Sequence, residues 1–199
     1  MKPEDTKQTI SFEDEVEDAF DDEQDNAADE DGDFDTRDYR PEDAPAVIQI
    51  FRDAINEIAA EHYSAEQRTA WACSADDAEA FTRFLAEGWI RVAEDDEGLL
   101  GFAQMNFPGE LAMLYTAPRA ARCGIATALL EDMMPLGEAM GAAHIDAHAS
   151  ALARGLLERF GFVSIAEEVV ERAGVQLSRT HMRRTLQSSA PQKKKARKA

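Results

Sequence analysis

The stretch LYTAPRAARCGIATALLEDMM, residues 114–134, constrains this chain more than any other. Leu114, Tyr115 and Thr116 read as the end of a β-strand, and Pro118 stops it. An apolar helical run follows Gly124. A strand that passes into a helix through so short a loop belongs to a protein that mixes the two elements. The loop is also built to meet an anion. The first N–H groups of a helix point outward with no helical partner, and the helix dipole makes that end positive. Gly124 leaves room for close approach to the backbone, and Arg119 and Arg122 add charge in a form suited to phosphate. Glycine and arginine also occur in such turns for purely local reasons.

Helix and strand alternate around this junction. Residues 36–40 read as a short strand and residues 41–63 as a helix with Val47, Ile50, Phe51, Ile55 and Ile58 on one stripe. Ser64 has the position of a cap for a second helix over 64–72, and 74–88 is a third. Residues 89–107 read as a hairpin turning near Gly98, and 110–118 as a further strand. The helix over 124–143 carries Pro135, which predicts a kink or an interruption. A strand over 144–150, a helix over 151–161 closed by Gly161, and two strands turning at Ala173-Gly174 complete the body. The order predicts one mixed α/β domain with several antiparallel neighbours.

Charge divides the 199 residues into three parts. Residues 1–35 hold sixteen Asp and Glu against two lysines, and residues 188–199 hold five basic residues and no acidic one. Both ends read as disordered tails, the first acidic and the second basic, around a body of residues 36–187. Phe12, Val16 and Phe20 recur every four residues after Ser11, so the acidic tail could also form a short helix that docks on a protein partner. The basic tail is too short to mark a nucleic-acid-binding protein. Cys73 and Cys123 are far apart and lack metal-ligand spacing, which reads as reduced thiols and no metal. With an acidic N-terminus and no membrane-length apolar run, the expected setting is the cytoplasm.

Two motifs within this pattern resemble those of the GNAT N-acetyltransferase superfamily. The first is the strand "LYTAP" followed by Ala121-Arg122-Cys123-Gly124-Ile125-Ala126, and the second is Ala153, Leu156, Leu157, Glu158, Gly161 and Phe162. The segment EHYSAEQRTAWA is similar to a bacterial, uncharacterised subgroup of the same family. The resemblance implies a mixed, mostly antiparallel central sheet flanked by helices, and acetyl-CoA as acyl donor. It implies that the pyrophosphate rests on Arg122, Cys123, Gly124, Ile125, Ala126 and Thr127. The edge formed by Leu114, Tyr115 and Thr116 would then pair with the pantetheine arm, and the amide near Leu114 would polarise the thioester carbonyl.

The departures bear on mechanism. Ala121 stands where the family usually has Gln or Arg, so Arg122 or Arg119 would have to compensate. Leu157 stands where many members have a Tyr that protonates the CoA thiolate, leaving Ser150 and Tyr115 as weak substitutes. Cys123, near a helix N-terminus, is either a reactive thiol or a passive loop residue. An amine must lose a proton before it attacks, and Glu110 is the candidate base, with His148 as relay and Asp146 less so. Glu110 is also readable as a solvated carboxylate at the strand start, and His148 as an ordinary polar strand residue. His62 and Tyr63 lie in the segment that covers the acceptor site in this family, whereas Trp71 reads as core.

Three functions remain in view. One is an acetyl-CoA-dependent N-acetyltransferase acting on a primary amine of a small molecule or protein. Another is a catalytically degenerate protein that binds acyl-CoA without turnover. The third is a partner-docking protein that works through its acidic tail. A second copy of the chain, as a homodimer, is a further partner left open.

Overall fold

The computed structural model describes residues 34–186, and the readings made on residues 1–33 and 187–199 lie outside them. Seven strands form one sheet: β1 (Asp35–Asp38), β2 (Gly88–Asp95), β3 (Gly98–Asn106), β4 (Glu110–Thr116), β5 (His144–Ala149), β6 (Val163–Arg172) and β7 (Val175–Thr185). Their order is β1-β2-β3-β4-β5-β7-β6, and every neighbouring pair is antiparallel except β4 and β5. This is the mixed, mostly antiparallel sheet that the family resemblance implied. The described residues include the last two positions assigned to the acidic tail: Phe34 packs on the core and Asp35 opens β1.

Among the described residues five α-helices cover the sheet: α1 (Ala44–Asn56), α2 (Ala65–Ala72), α3 (Ala78–Leu85), α4 (Ile125–Ala139) and α5 (Ala151–Arg159). One core joins α4 and α5 to the sheet through Ala103, Met105, Leu129, Met133, Ile145 and Leu157. A second packs α1 and α3 on the opposite face through Val47, Phe51, Phe81, Val92 and Phe102. Alternation along the strands divides residues between these cores. Ile145, Ala147 and Ala149 of β5 enter the first, so His144, Asp146 and His148 lie on the other face.

Several elements differ from their sequence-based bounds. The helix expected over 41–63 is α1 with short 3₁₀ turns before and after it, at Pro41–Asp43 and Ile58–Glu61. Its opening is tied down by Arg37, whose guanidinium reaches Asp43 at 2.7 Å and Glu94 at 2.7 Å. The helix expected over 74–88 narrows to α3, which is capped by Asp77 accepting from the Ala80 N–H. Pro135 leaves α4 a single helix. Ser64 caps α2 as expected, in a reciprocal pair with Gln67.

Two glycines draw α4 against the sheet. A Cβ on Gly101 of β3 would stand 2.9 Å from Ile125 Cγ2 and 2.8 Å from the Tyr115 carbonyl oxygen. A Cβ on Gly137 would stand 2.6 Å from Ile145 Cδ1. The close approach sets the start of α4 directly beyond the end of β4.

Candidate active site

The centre of the site is a break between two strands. β4 and β5 pair only at Glu110–Asp146 and Leu111–Ala147. On its other edge β4 pairs with β3, where Met113 faces Gln104 and Leu111 faces Met105, so Ala112 is an extra, unpaired residue. This bulge bends β4 away from β5. Beyond Leu111 the edge of β4 toward β5 has no strand partner. A cavity of about 160 Å³ fills the wedge, bordered by Leu111–Thr116 on one side and Ala147–Ser150 on the other, with Leu157 among its walls.

The loop beyond the wedge ends in a sharp turn with free amides. Arg122 and Gly124 both have positive φ, 64° and 80°, which turns the chain sharply into α4. The first helical bond runs from the Ala128 N–H to the Gly124 carbonyl. Among the described residues, the N–H groups of Gly124, Ile125, Ala126 and Thr127 make no hydrogen bond. A Cβ at Gly124 would meet nothing within 4 Å, so the open space lies over these amides. The two loop arginines differ. Arg119 is engaged by Asp95 at 2.7 and 2.9 Å and holds that carboxyl down, to a pKa of about 2. Arg122 is exposed and has no carboxylate partner among the described residues. Of the two, Arg122 is therefore the one free to meet an incoming anion. Cys123 is an exposed free thiol.

A second cavity, of about 470 Å³, opens on the α1 and α3 face and shares Met113, Tyr115, His148 and Ser150 with the first. Glu110 borders it at the start of β4. A short chain of amides reaches Glu110: Gln104 Nε2 donates to Asn106 Oδ1 at 3.0 Å, and Asn106 Nδ2 lies 3.4 Å from Glu110 Oε2. His148 borders both cavities and a third beside Gly109 and His144. Its Nδ1 is 3.1 Å from Glu168 Oε2, near enough for charge attraction but not aligned for a hydrogen bond. Its ring stacks on His181, centroids 5.0 Å apart.

Asp146 is committed elsewhere. Arg183 clamps it at 2.7 and 3.0 Å, and His181 approaches at 3.1 Å. The Arg183 guanidinium holds its carboxyl below the usual range, an arrangement that anchors β5 to β7. Tyr115 is packed among Phe51, Trp71 and Phe102, and burial pushes its phenol well up. It is a neutral hydroxyl at working pH.

Tyr63 and His62 part company. Tyr63 is buried, borders the larger cavity, and its hydroxyl accepts the Ala151 N–H at 3.1 Å. It thus caps α5 in place of Ser150, whose side chain makes no capping bond and borders both cavities. His62 is exposed and is not among the residues lining this cavity. Trp71, read as core, also borders the cavity, edge-on to Tyr63. Sequence reasoning missed Arg172 and Arg179, which complete the wall from β6 and β7, and Glu168, the partner of Arg179. No local signal marks them; they reach the site through strand register. Among the described residues, no three His, Cys, Asp or Glu side chains group as metal ligands.

A strand that diverges from its neighbour and ends on the N-terminus of a helix defines a class of acyl-transfer scaffold, and comparison with known proteins is specific about which. The family described as Acetyltransferase (GNAT) domain matches residues 59–186. An uncharacterised N-acetyltransferase of Escherichia coli strain K12, YafP, is 31% identical over 147 residues, covering 74% of this chain and 93% of its own. A GCN5-related N-acetyltransferase structure from Rhodopseudomonas palustris is similar with a TM-score of 0.74 and 32% identity, over 76% of this chain and 95% of its own. The PaiA N-acetyltransferase of Thermoplasma acidophilum, solved with coenzyme A, shares the fold at a TM-score of 0.63 and 18% identity, over 78% of this chain and all of its own. The chain belongs to the GNAT family and is an N-acetyltransferase.

Proposed function

We propose that this enzyme moves an acetyl group from acetyl-CoA to a primary amine of a small molecule or a protein. The observation that carries the reading is the alignment of two unsatisfied backbone surfaces, the β4 edge beyond Leu111 and the amides of Gly124 to Thr127. Acetyl-CoA suits both. Its pyrophosphate matches four free N–H groups and Arg122, and its pantetheine arm has the amides to add a strand to β4. The PaiA structure holds coenzyme A, and a similar structure from Salmonella typhimurium, yncA, holds acetyl-CoA.

Acetyl-CoA supplies a thioester carbonyl open to attack. An ammonium acceptor gives up one proton to become a nucleophile. Its nitrogen bonds to the carbonyl carbon, the C–S bond breaks, and the second proton lost from nitrogen balances the thiolate. Glu110, with few competing partners, is the base for the first proton, directly or through water. His148, where the cavities meet, can pass it toward His181 and solvent. The N–H groups near Leu114 face the oxygen that gains charge. With the aliphatic Leu157 in the wedge wall, Ser150 and Tyr115 are the hydroxyls beside the departing sulfur. The raised phenol of Tyr115 suits hydrogen-bond donation rather than full proton transfer. A thiol of pKa roughly 8.5 departs without strong acid help. The test is release of free CoA from acetyl-CoA across a panel of amines, with the product identified by mass. Tight acetyl-CoA binding without turnover on any amine would favour the binding-only alternative.

A further inference from the structure

The larger cavity carries information about the acceptor that the family does not. Its apolar wall is aromatic, with rings from Phe51, Trp71, Phe81, Phe84 and Tyr115. Its charged groups are few, and half are already matched. Arg179 donates to Glu168 at 2.8 Å, and His148 faces the same carboxylate. Two groups have no opposite charge bound to them among the described residues: Glu110, and Arg172 at the end of β6. Arg172 is close enough for its charge to act on the Tyr115 phenol.

These two lie apart along the sheet. Glu110 is level with Asp146 and hence with Arg183 of β7, whereas Arg172 is level with Val175. Eight positions of β7 separate the two levels, roughly 25 Å of strand before the side chains reach inward. The site therefore has a carboxylate and a relay histidine where the amine must react, an aromatic middle, and an unmatched guanidinium at the far end.

Resting on the acetyltransferase reading above, we infer that the acceptor is an amine with an aromatic body and an anionic group, a carboxylate, remote from the nitrogen. Arg172 recognises that group. A planar guanidinium is suited to a carboxylate and repels a second ammonium, so the same feature selects against polyamines.

The experiment compares three acceptors at saturating acetyl-CoA: 4-(2-aminoethyl)benzoate, phenethylamine and spermidine. The first two differ only by the remote carboxylate. The expected kcat/KM order places the benzoate about tenfold or more above phenethylamine, as one charge-assisted pair would give, with spermidine last. In Arg172→Gln the benzoate-to-phenethylamine ratio falls to within about twofold. Calorimetric binding of the benzoate to wild type and variant gives a readout independent of turnover, and it weakens by a similar factor. Equal use of the two aromatic amines, preference for spermidine, or a ratio unchanged in Arg172→Gln would overturn this inference while leaving N-acetyl transfer standing. Acetylation of none of the three, nor of any amine in the wider panel, would overturn the acetyltransferase reading itself.

Discussion

Replacing Gly124 by Asp puts a carboxylate at the mouth of the proposed pyrophosphate cradle. Two effects must be separated. The first is backbone strain, since Gly124 has φ 80°. A side chain there costs on the order of 1–2 kcal/mol, a little less for Asp, which tolerates this region better than Ala. No atom lies within 4 Å of the added Cβ, so there is no steric cost beyond that. For a domain of this size the midpoint of thermal unfolding should fall by about 2–6 °C. The second effect is charge. Two unit charges about 4–5 Å apart repel by about 1 kcal/mol when fully screened by water, and by ~3–4 kcal/mol at a surface-like effective dielectric. Against the two charges of a pyrophosphate the lower figure gives ~2 kcal/mol, roughly thirtyfold in Kd. Gly124→Ala separates the two effects, because it carries the strain without the charge. Titration calorimetry with acetyl-CoA should show Gly124→Ala within about threefold of wild type and Gly124→Asp weaker by ~30-fold or more. Calorimetry that finds Asp as tight as wild type, or Ala as weak as Asp, would refute the cradle argument.

Three other outcomes are expected. Glu110→Gln should lower kcat by about 10²-fold near neutral pH, recover partly at high pH as the amine deprotonates unaided, and leave acetyl-CoA affinity unaltered; a wild-type pH–rate profile would make Glu110 a bystander. Arg37→Ala should cost ~1–3 kcal/mol at pH 7, since it strands the buried Asp43, whose pKa Arg37 holds below its ordinary value. A depressed carboxylate contributes stability above its unfolded pKa and loses it as pH falls through the folded one, so the gap in unfolding midpoint between wild type and Arg37→Ala should be full at pH 6 and close below about pH 4. Gly101→Leu should push Ile125 outward, lowering both the unfolding midpoint and acetyl-CoA affinity; a normal Kd would show that the start of α4 does not depend on this contact.

The parts legible in sequence were those governed by neighbours along the chain. Strand, loop and helix around Gly124 follow from local rules of capping and positive φ, as does the Ser64–Gln67 cap. The break before α1 was not legible. It depends on Arg37, which binds Asp43 six residues on and Glu94 on a different strand. Nor could sequence tell Arg119 from Arg122 in the loop, because the difference is made by Asp95, at the far end of a hairpin. Tyr63 was visible as a candidate side chain, but its bond to the Ala151 N–H spans 88 positions of sequence. The proposed acceptor wall was hidden for the same reason, since Arg172 and Arg179 acquire meaning only once β6 is registered on β7.

Ala112 shows how little separates this enzyme from an inert sheet. Take that residue out, and β4 could run in step with both neighbours, closing the wedge with ordinary ladder bonds. Leu111 and Met113 would then be successive residues opposite Met105 and Gln104, so side chains on both sides of the deletion would keep their present faces. Met113 and Tyr115 would stay on the aromatic side and Leu114 on the α4 side. One codon thus sets the opening proposed to admit a donor and leaves the opposite face as it was. A lineage of such sheets can gain or lose that opening in a single insertion or deletion, without revising any side chain chosen for chemistry.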